Sequence, residues 1–319
     1  MSVGHTPIRH FLTVDDLRPD ELLAVLDLAD DLKAARPGPG SATASFSGPL
    51  NGCSIALIFE KPSTRTRVSF EIGVRELGGH PVVLSRDQLQ LGRGETIADT
   101  ARVLSRYVHG IVLRTFDQDR LEGLAEAGSV PIINALSDLA HPCQAVADLQ
   151  TIREYKGGPA GLKMAYVGDG NNMAHSLLKA GAMMGMHVAV ATPPGYEPNS
   201  QVVDEAMELA AAGDGRVTVT TDPVQAMTDA DVLYTDVWAS MGQEDQAEER
   251  AQIFKPYQLN AGSLDVARPD AIVMHCLPAH RGEEITADVL EGDSSVVFTQ
   301  AENRLHAQKA LLVTLLVGA

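Results

Sequence analysis

Residues 59–71 read Phe-Glu-Lys-Pro-Ser-Thr-Arg-Thr-Arg-Val-Ser-Phe-Glu, and this run joins two different periodicities. Ahead of it, 55–59 is a short continuous apolar stretch that reads as a buried strand. Behind it, Phe70, Val74 and Leu77 recur at helical spacing. Pro62 suits the first turn of a helix, so Ser63, Thr64, Arg65 and Thr66 fall where that helix begins. A helix N-terminus offers unpaired N–H groups and the positive end of the dipole, and the two hydroxyl types and guanidinium groups added here suit an anion. Arginine's fork matches phosphate oxygens two at a time, and charge-assisted bonds of this kind contribute about 1.5–3 kcal/mol each. The same residues also suit an ordinary hydroxyl cap with solvated arginines, and the run alone does not choose between these readings.

Working outward, strand and helix alternate. Strands are predicted at 55–59, 81–84, 110–114 and 130–134, with helices at 64–77, 95–107 and 119–127 and another from His141 to Tyr155. An amphipathic helix at 15–35 precedes them and ends at Arg36-Pro37-Gly38-Pro39-Gly40. Lys156-Gly157-Gly158-Pro159 is the best linker in the chain. A second alternating series follows it, with strands near 162–167, 187–191, 216–220, 231–235, 271–275 and 295–298 and a last helix over 303–317. Alternation of this kind specifies right-handed βαβ units and parallel sheets. The expectation is an α/β protein of two domains, each a parallel sheet flanked by helices, the first spanning 1–155 and the second, Rossmann-like, 156–302.

The 319 residues suffice for two such cores, and 45% hydrophobic with 21% charged residues is ordinary globular composition. A formal net charge of −17 disfavours nucleic acid and anionic membranes as partners, so an anionic substrate needs a local basic pocket. The three cysteines, Cys53, Cys143 and Cys276, have no framework spacing, which suits a reduced compartment. With no apolar segment of targeting or membrane-spanning type, the expected location is the cytoplasm.

Three further motifs accompany the first: His141-Pro142-Cys143-Gln144 opening a helix, Asp236-Val237-Trp238-Ala239-Ser240-Met241-Gly242 after a strand, and His275-Cys276-Leu277-Pro278 after another. In this order and with these separations the four resemble the aspartate/ornithine carbamoyltransferase family, from about Phe46 to the C-terminal helix. The resemblance implies transfer of a carbamoyl group from carbamoyl phosphate to an amine, with no cofactor. Ser240-Met241-Gly242 and His275-Cys276-Leu277-Pro278 favour the δ-amine of L-ornithine, giving L-citrulline and phosphate. Aspartate or putrescine as acceptor, or a non-catalytic subunit that only binds carbamoyl phosphate, are the alternatives.

By the same resemblance, Ser63, Thr64, Arg65, Thr66 and Arg114 hold the phosphate, and Arg67 has no site role. His141 donates to the carbonyl oxygen, Gln144 orients the carbamoyl amide, and Pro142, Cys143, Cys276, Leu277 and Arg304 complete the carbamoyl phosphate site. Asn172 serves the ornithine carboxylate, and Asp236, Ser240 and Met241 its α-amino group. Arg114, His141, Asp236 and Cys276 are the catalytic set. The resemblance further implies that helix 303–319 packs back on the first domain, that the domains close over the substrates, and that the chain forms a homotrimer or a multiple of trimers. In that assembly Gln90, in the loop Asp87-Gln88-Leu89-Gln90-Leu91-Gly92-Arg93-Gly94-Glu95, reaches a neighbouring subunit's site.

Two other chemistries are poorly served. Gly168-Asp169-Gly170-Asn171-Asn172-Met173 could pass for a dinucleotide fingerprint, but Met173 stands in the place of the third glycine and no acidic residue ends the next strand. His275 and Cys276, with His141 and Cys143, lack zinc-ligand spacing, and neighbours on a strand point to opposite faces, so no metal is expected. Val273 stands where relatives often carry an aromatic residue, a difference of packing.

Overall fold

The structure is a computed structural model, and it describes residues 9–37, 48–86, 94–239 and 244–318. Nine strands lie among them: β1 Ser54–Phe59, β2 His80–Ser85, β3 Gly110–Arg114, β4 Ile132–Leu136, β5 Lys163–Val167, β6 His187–Ala191, β7 Arg216–Thr220, β8 Val232–Thr235 and β9 Ile272–His275. The helices are α1 Pro19–Ala34, α2 Thr64–Glu76, α3 Ile97–Leu104, α4 Gln118–Ala127, α5 Pro142–Lys156, α6 Asn172–Met183, α7 Ser200–Ala211, α8 Pro223–Met227, α9 Ala247–Phe254, α10 Ala261–Val266, α11 Ala287–Leu290 and α12 Val297–Val317. All strand pairing is parallel, so each sheet is buried on both faces.

The first sheet has the order β2-β1-β3-β4 and the second β7-β6-β5-β8-β9. In the first, Ala56, Ile58, Ile111, Leu113 and Ile132 meet Ala101, Leu121 and Leu124 from α3 and α4. In the second, Ala165, Val167, Leu233 and Val273 meet Ala226, Met227, Val289 and Leu290. Each order reverses at one point, between β1 and β3 and between β5 and β8. At such a reversal the helices leave on opposite faces, and a crevice opens beyond the carboxyl ends of the two strands. The chain leaving β1 enters Ser63–Thr66, and β3 ends at Arg114. The chain leaving β5 enters Gly168–Asn172, and β8 leads straight into Asp236.

Two expectations are corrected. The apolar run at 295–298 is not a strand: Val273 makes an isolated bridge with Ser295, and α12 begins at Val297, six residues before the predicted start. Pairing with β9 stops at that one bridge, because the chain turns helical from Val297. The linker 156–159 also does not divide the compact units. One unit comprises the chain through Cys143 together with Arg304–Ala319, and the other comprises Gln144–Asn303. Most of α5 thus belongs to the second unit, because its buried Asp148 and Thr151 are hydrogen-bonded to Tyr234, Gln300 and Asn303.

Candidate active site

In the first unit, Ser63 occupies the N-cap of α2 in extended conformation without spending its side chain on a cap. Thr66 is buried and accepts a hydrogen bond from Arg304 Nη2, which joins the C-terminal segment to the cluster. Arg114 is 8% exposed at the end of β3, and His141 is 4% exposed just before Pro142 opens α5. Burial lowers the His141 pKa well below its ordinary value, and the positive charges of Arg304, Arg114 and Arg65 lower it further. Three guanidinium groups therefore bear on one neutral imidazole, an arrangement suited to an anion beside a hydrogen-bond donor. Arg67 points away, exposed and 4.0 Å from Glu71.

The end of β3 is held by residues that sequence reading missed. Glu60 N–H donates to Arg114 O at 2.9 Å, while the Glu60 carboxylate, 8% exposed, accepts from Thr115 Oγ1 and from Arg120 Nη1 at 2.5 Å. Lys61 sits 4.0 Å over the Phe116 ring and donates to Asp138 at 2.6 Å. Glu60 and Lys61 adjoin the phosphate motif, so their position next to Pro62 was the available signal. Cys143 is fully buried, donates its thiol to Asn134 O at 3.2 Å, and has its pKa pushed up to about 12 by burial, which makes it a packing group and not a nucleophile.

In the second unit Asn171, not Asn172, caps α6, accepting from Met173 N at 2.9 Å and Ala174 N at 3.3 Å. Asn171 Nδ2 donates to Asp236 Oδ2 at 3.0 Å. Asn172 is the first residue of α6 and half-buried beside it. Asp236 Oδ1 accepts from Val237 N at 2.8 Å and from Cys276 Sγ at 2.9 Å, so Asn171, Asp236 and Cys276 form one connected set. The turn before α6 is closed by the protein's own backbone: Gly170 N–H donates to Tyr196 O at 2.9 Å, and a Cβ at Gly170 would lie 2.3 Å from Pro198 N. The glycine thus serves a close approach within the chain, which accounts for it without a dinucleotide.

Arg250 on α9 holds the next segment. It lies over the touching rings of Tyr196 and Phe254, donates to Trp238 O at 2.8 Å and pairs with Asp169 at 3.1 Å. Asp169 keeps a raised pKa because its burial outweighs that guanidinium. Past β9, Leu277 adopts a left-handed φ of 56° ahead of a cis Leu277–Pro278 bond. A leucine in that region costs about 1–3 kcal/mol. His275 supports it: Leu277 N–H donates to Nδ1 at 2.8 Å, so the ring proton lies on Nε2 and faces Glu284 at 3.2 Å.

Asp236, His275 and Cys276 bring ligand-type atoms within 4.8 Å of one another, closer than strand alternation predicts, because Cys276 lies just beyond the strand end. Both His275 nitrogens are engaged as described, so a cation there must first break the support of Leu277. His280, Glu283 and Glu284 form a second such group, in which Glu284 accepts from His280 N at 2.5 Å. Gln90, Ser240 and Met241 lie outside the described residues.

Comparison with known proteins matches both halves. The carbamoyl-P binding domain of aspartate/ornithine carbamoyltransferases matches residues 9–154, and the Asp/Orn binding domain of the same family matches 160–315. An ornithine carbamoyltransferase of Parafrankia sp. (strain EAN1pec) is 62% identical over 308 residues, 97% of this chain and 96% of that protein. One from Acidothermus cellulolyticus is 59% identical over 316 residues, 98% of each chain. Among solved structures, ornithine carbamoyltransferase from Pyrococcus furiosus superposes with a TM-score of 0.91 at 52% identity, covering 98% of each chain.

Proposed function

The chain belongs to the aspartate/ornithine carbamoyltransferase family, and from that premise we propose how its own residues carry the reaction. It is a carbamoyltransferase that moves the carbamoyl group of carbamoyl phosphate to the δ-amine of L-ornithine, giving L-citrulline and phosphate. Carbamoyl phosphate is a mixed anhydride, so a site must hold the phosphate and polarise the adjacent carbonyl. Ser63, Thr64, Arg65, Thr66 and Arg114 take the phosphate at the start of α2, with Arg304 steadied by its bond to Thr66. His141, kept neutral, donates to the carbonyl oxygen as charge develops there, with three guanidinium groups to stabilise that charge.

Pro142 fixes the start of α5, Cys143 packs beneath it, and Gln144 turns its amide toward the carbamoyl NH₂. The backbone carbonyls of Cys276 and Leu277 accept from the same NH₂, the unusual backbone of Leu277 aiming them. Asn172 takes the ornithine carboxylate, and Asp236, with Ser240 and Met241, its α-amino group. Cys276, bonded to Asp236, lies beside the attacking amine. That amine must be neutral to attack; it adds to the carbonyl carbon, the tetrahedral intermediate collapses, and phosphate leaves with its bonding pair and takes up the proton that the amine nitrogen gives away.

Carbamoyl phosphate is taken chiefly by the unit of residues 1–143 and 304–319, and ornithine chiefly by that of residues 144–303. The chain works in the cytoplasm, in arginine biosynthesis, as a homotrimer or a multiple of trimers in which Gln90 completes a neighbour's site. The support for the chemistry is a buried His141 that desolvation and the charges of Arg304, Arg114 and Arg65 keep neutral, with Arg304 bonded to Thr66 at the start of α2. A citrulline assay tests it: product should require both carbamoyl phosphate and L-ornithine. Equal or faster turnover with L-aspartate or putrescine would refute the acceptor.

A further inference from the structure

Asp148 is a fully buried carboxylate on α5, and three donors converge on it: Gln144 Nε2 and Gln300 Nε2, each at 2.8 Å, and Tyr234 Oη at 3.0 Å. One end of this network is fixed by a group that cannot be turned round. The His275 backbone N–H only donates, and it donates to Gln300 Oε1 at 2.9 Å. Gln300 must therefore direct Nε2 at Asp148, where it also meets Tyr234 Oη at 3.0 Å. A carboxylate surrounded by such donors acts as an acceptor, so Gln144, one helical turn before Asp148, must face it with its NH₂. The Gln144 amide is thereby oriented with Oε1 on the opposite side. That oxygen is buried and has no hydrogen-bond partner among the described residues, an unfavourable state that a donor from a ligand relieves.

We propose that Asp148 is a positioning residue that sets the polarity of Gln144, so that an acceptor and not a donor meets the NH₂ of carbamoyl phosphate. In this way the chain distinguishes a carbamoyl from an acetyl group. The assignment rests on Gln144 as the group that meets the carbamoyl amide. An acetyl group presents CH₃ to the same oxygen and leaves it unpaired, and a buried polar group left unpaired is what rejects a near-isostere. Without the carboxylate, the Gln144 amide can rotate and present its NH₂ instead.

The test is a double-mutant cycle on the full-length enzyme, reading kcat/KM for carbamoyl phosphate and the inhibition constant of acetyl phosphate. Asp148→Ala should lower kcat/KM about tenfold in the parent, as expected for one misdirected hydrogen bond, and less than about threefold in a Gln144→Ala background. It should also narrow the preference for carbamoyl over acetyl phosphate. Asp148→Asn, which keeps an acceptor oxygen toward Gln144, should stay within about threefold of the parent. Equal losses in both backgrounds, or an unchanged preference with a lower Tm, would make Asp148 a purely structural group and overturn the assignment. A Gln144→Ala variant that matches the parent would instead remove the role of Gln144 itself, and the assignment with it. If Asp148→Ala loses its cooperative thermal transition, Asp148→Leu, which fills the space without an acceptor, replaces it. A loss above about tenfold in Asp148→Asn is decisive against the proposal.

Discussion

His141 is 4% exposed, and burial together with Arg304, Arg114 and Arg65 keeps its ring neutral well into acid. Its role as a donor is therefore already in place at neutral pH, and the group that must change protonation is the substrate amine. An alkylamine's unperturbed pKa is about 10.4, so its neutral fraction grows roughly tenfold per unit between pH 7 and 9. The rate of citrulline formation at low ornithine should climb steeply across that range with no inflection from His141. A flat profile would contradict attack by the neutral amine as the limiting step. For stability, the folded pKa of His141 lies below the unfolded value of about 6.5. The unfolded chain therefore takes up the proton first as pH falls, and this contribution is full above that pH and lost below it.

At the scale of elements, both sites sit where a sheet reverses its order, and the turns there have little freedom. Gly170→Ala places a Cβ within 2.3–2.5 Å of backbone atoms of residues 196–198, which no side-chain rotation relieves. A loss of stability of about 1–3 kcal/mol should follow, read from denaturant melts, with a raised KM for ornithine and an unchanged KM for carbamoyl phosphate. A parent-like melt would show that this segment yields easily. The turn was legible in the sequence because glycines between a strand and a helix are conspicuous. So were the nine strands, whose apolar runs end in polar motifs, and the order Ser63 to Arg67, His141 to Gln144, Asp236 and Cys276. Glu60, Arg250 and Asp148 were not legible. Each acts through partners dozens of residues away, Arg120, Asp169 and Tyr234 among them, and no local period records such pairing. The early start of α12 was hidden because Val296, Val297 and Phe298 suit a strand as well as a helix, and tertiary pairing decides.

At the scale of the whole molecule, the proposed trimer makes each site depend on two chains. Arg65→Ala removes a phosphate contact, a loss that typically costs about 10²–10³ in rate, and Gln90→Ala removes the neighbour's contribution, so each variant alone should be nearly inactive. In a cyclic trimer every interface is heterologous, and random mixing of equal amounts restores about a quarter of the sites. Co-refolding the two variants and assaying citrulline checks this; no recovery from demonstrated mixed oligomers would place the site within one chain. The single chain carries a further consequence in its path. The first unit is discontinuous, for it needs Arg304–Ala319 as well as the chain through Cys143, and Arg304 bonds Thr66 within it. During synthesis, about 160 residues must leave the ribosome between those two parts, roughly 8–32 s at about 5–20 residues per second. The half that is made first is therefore completed last, and the nascent chain must hold its anion cradle open, unclosed by Arg304, until translation is all but over.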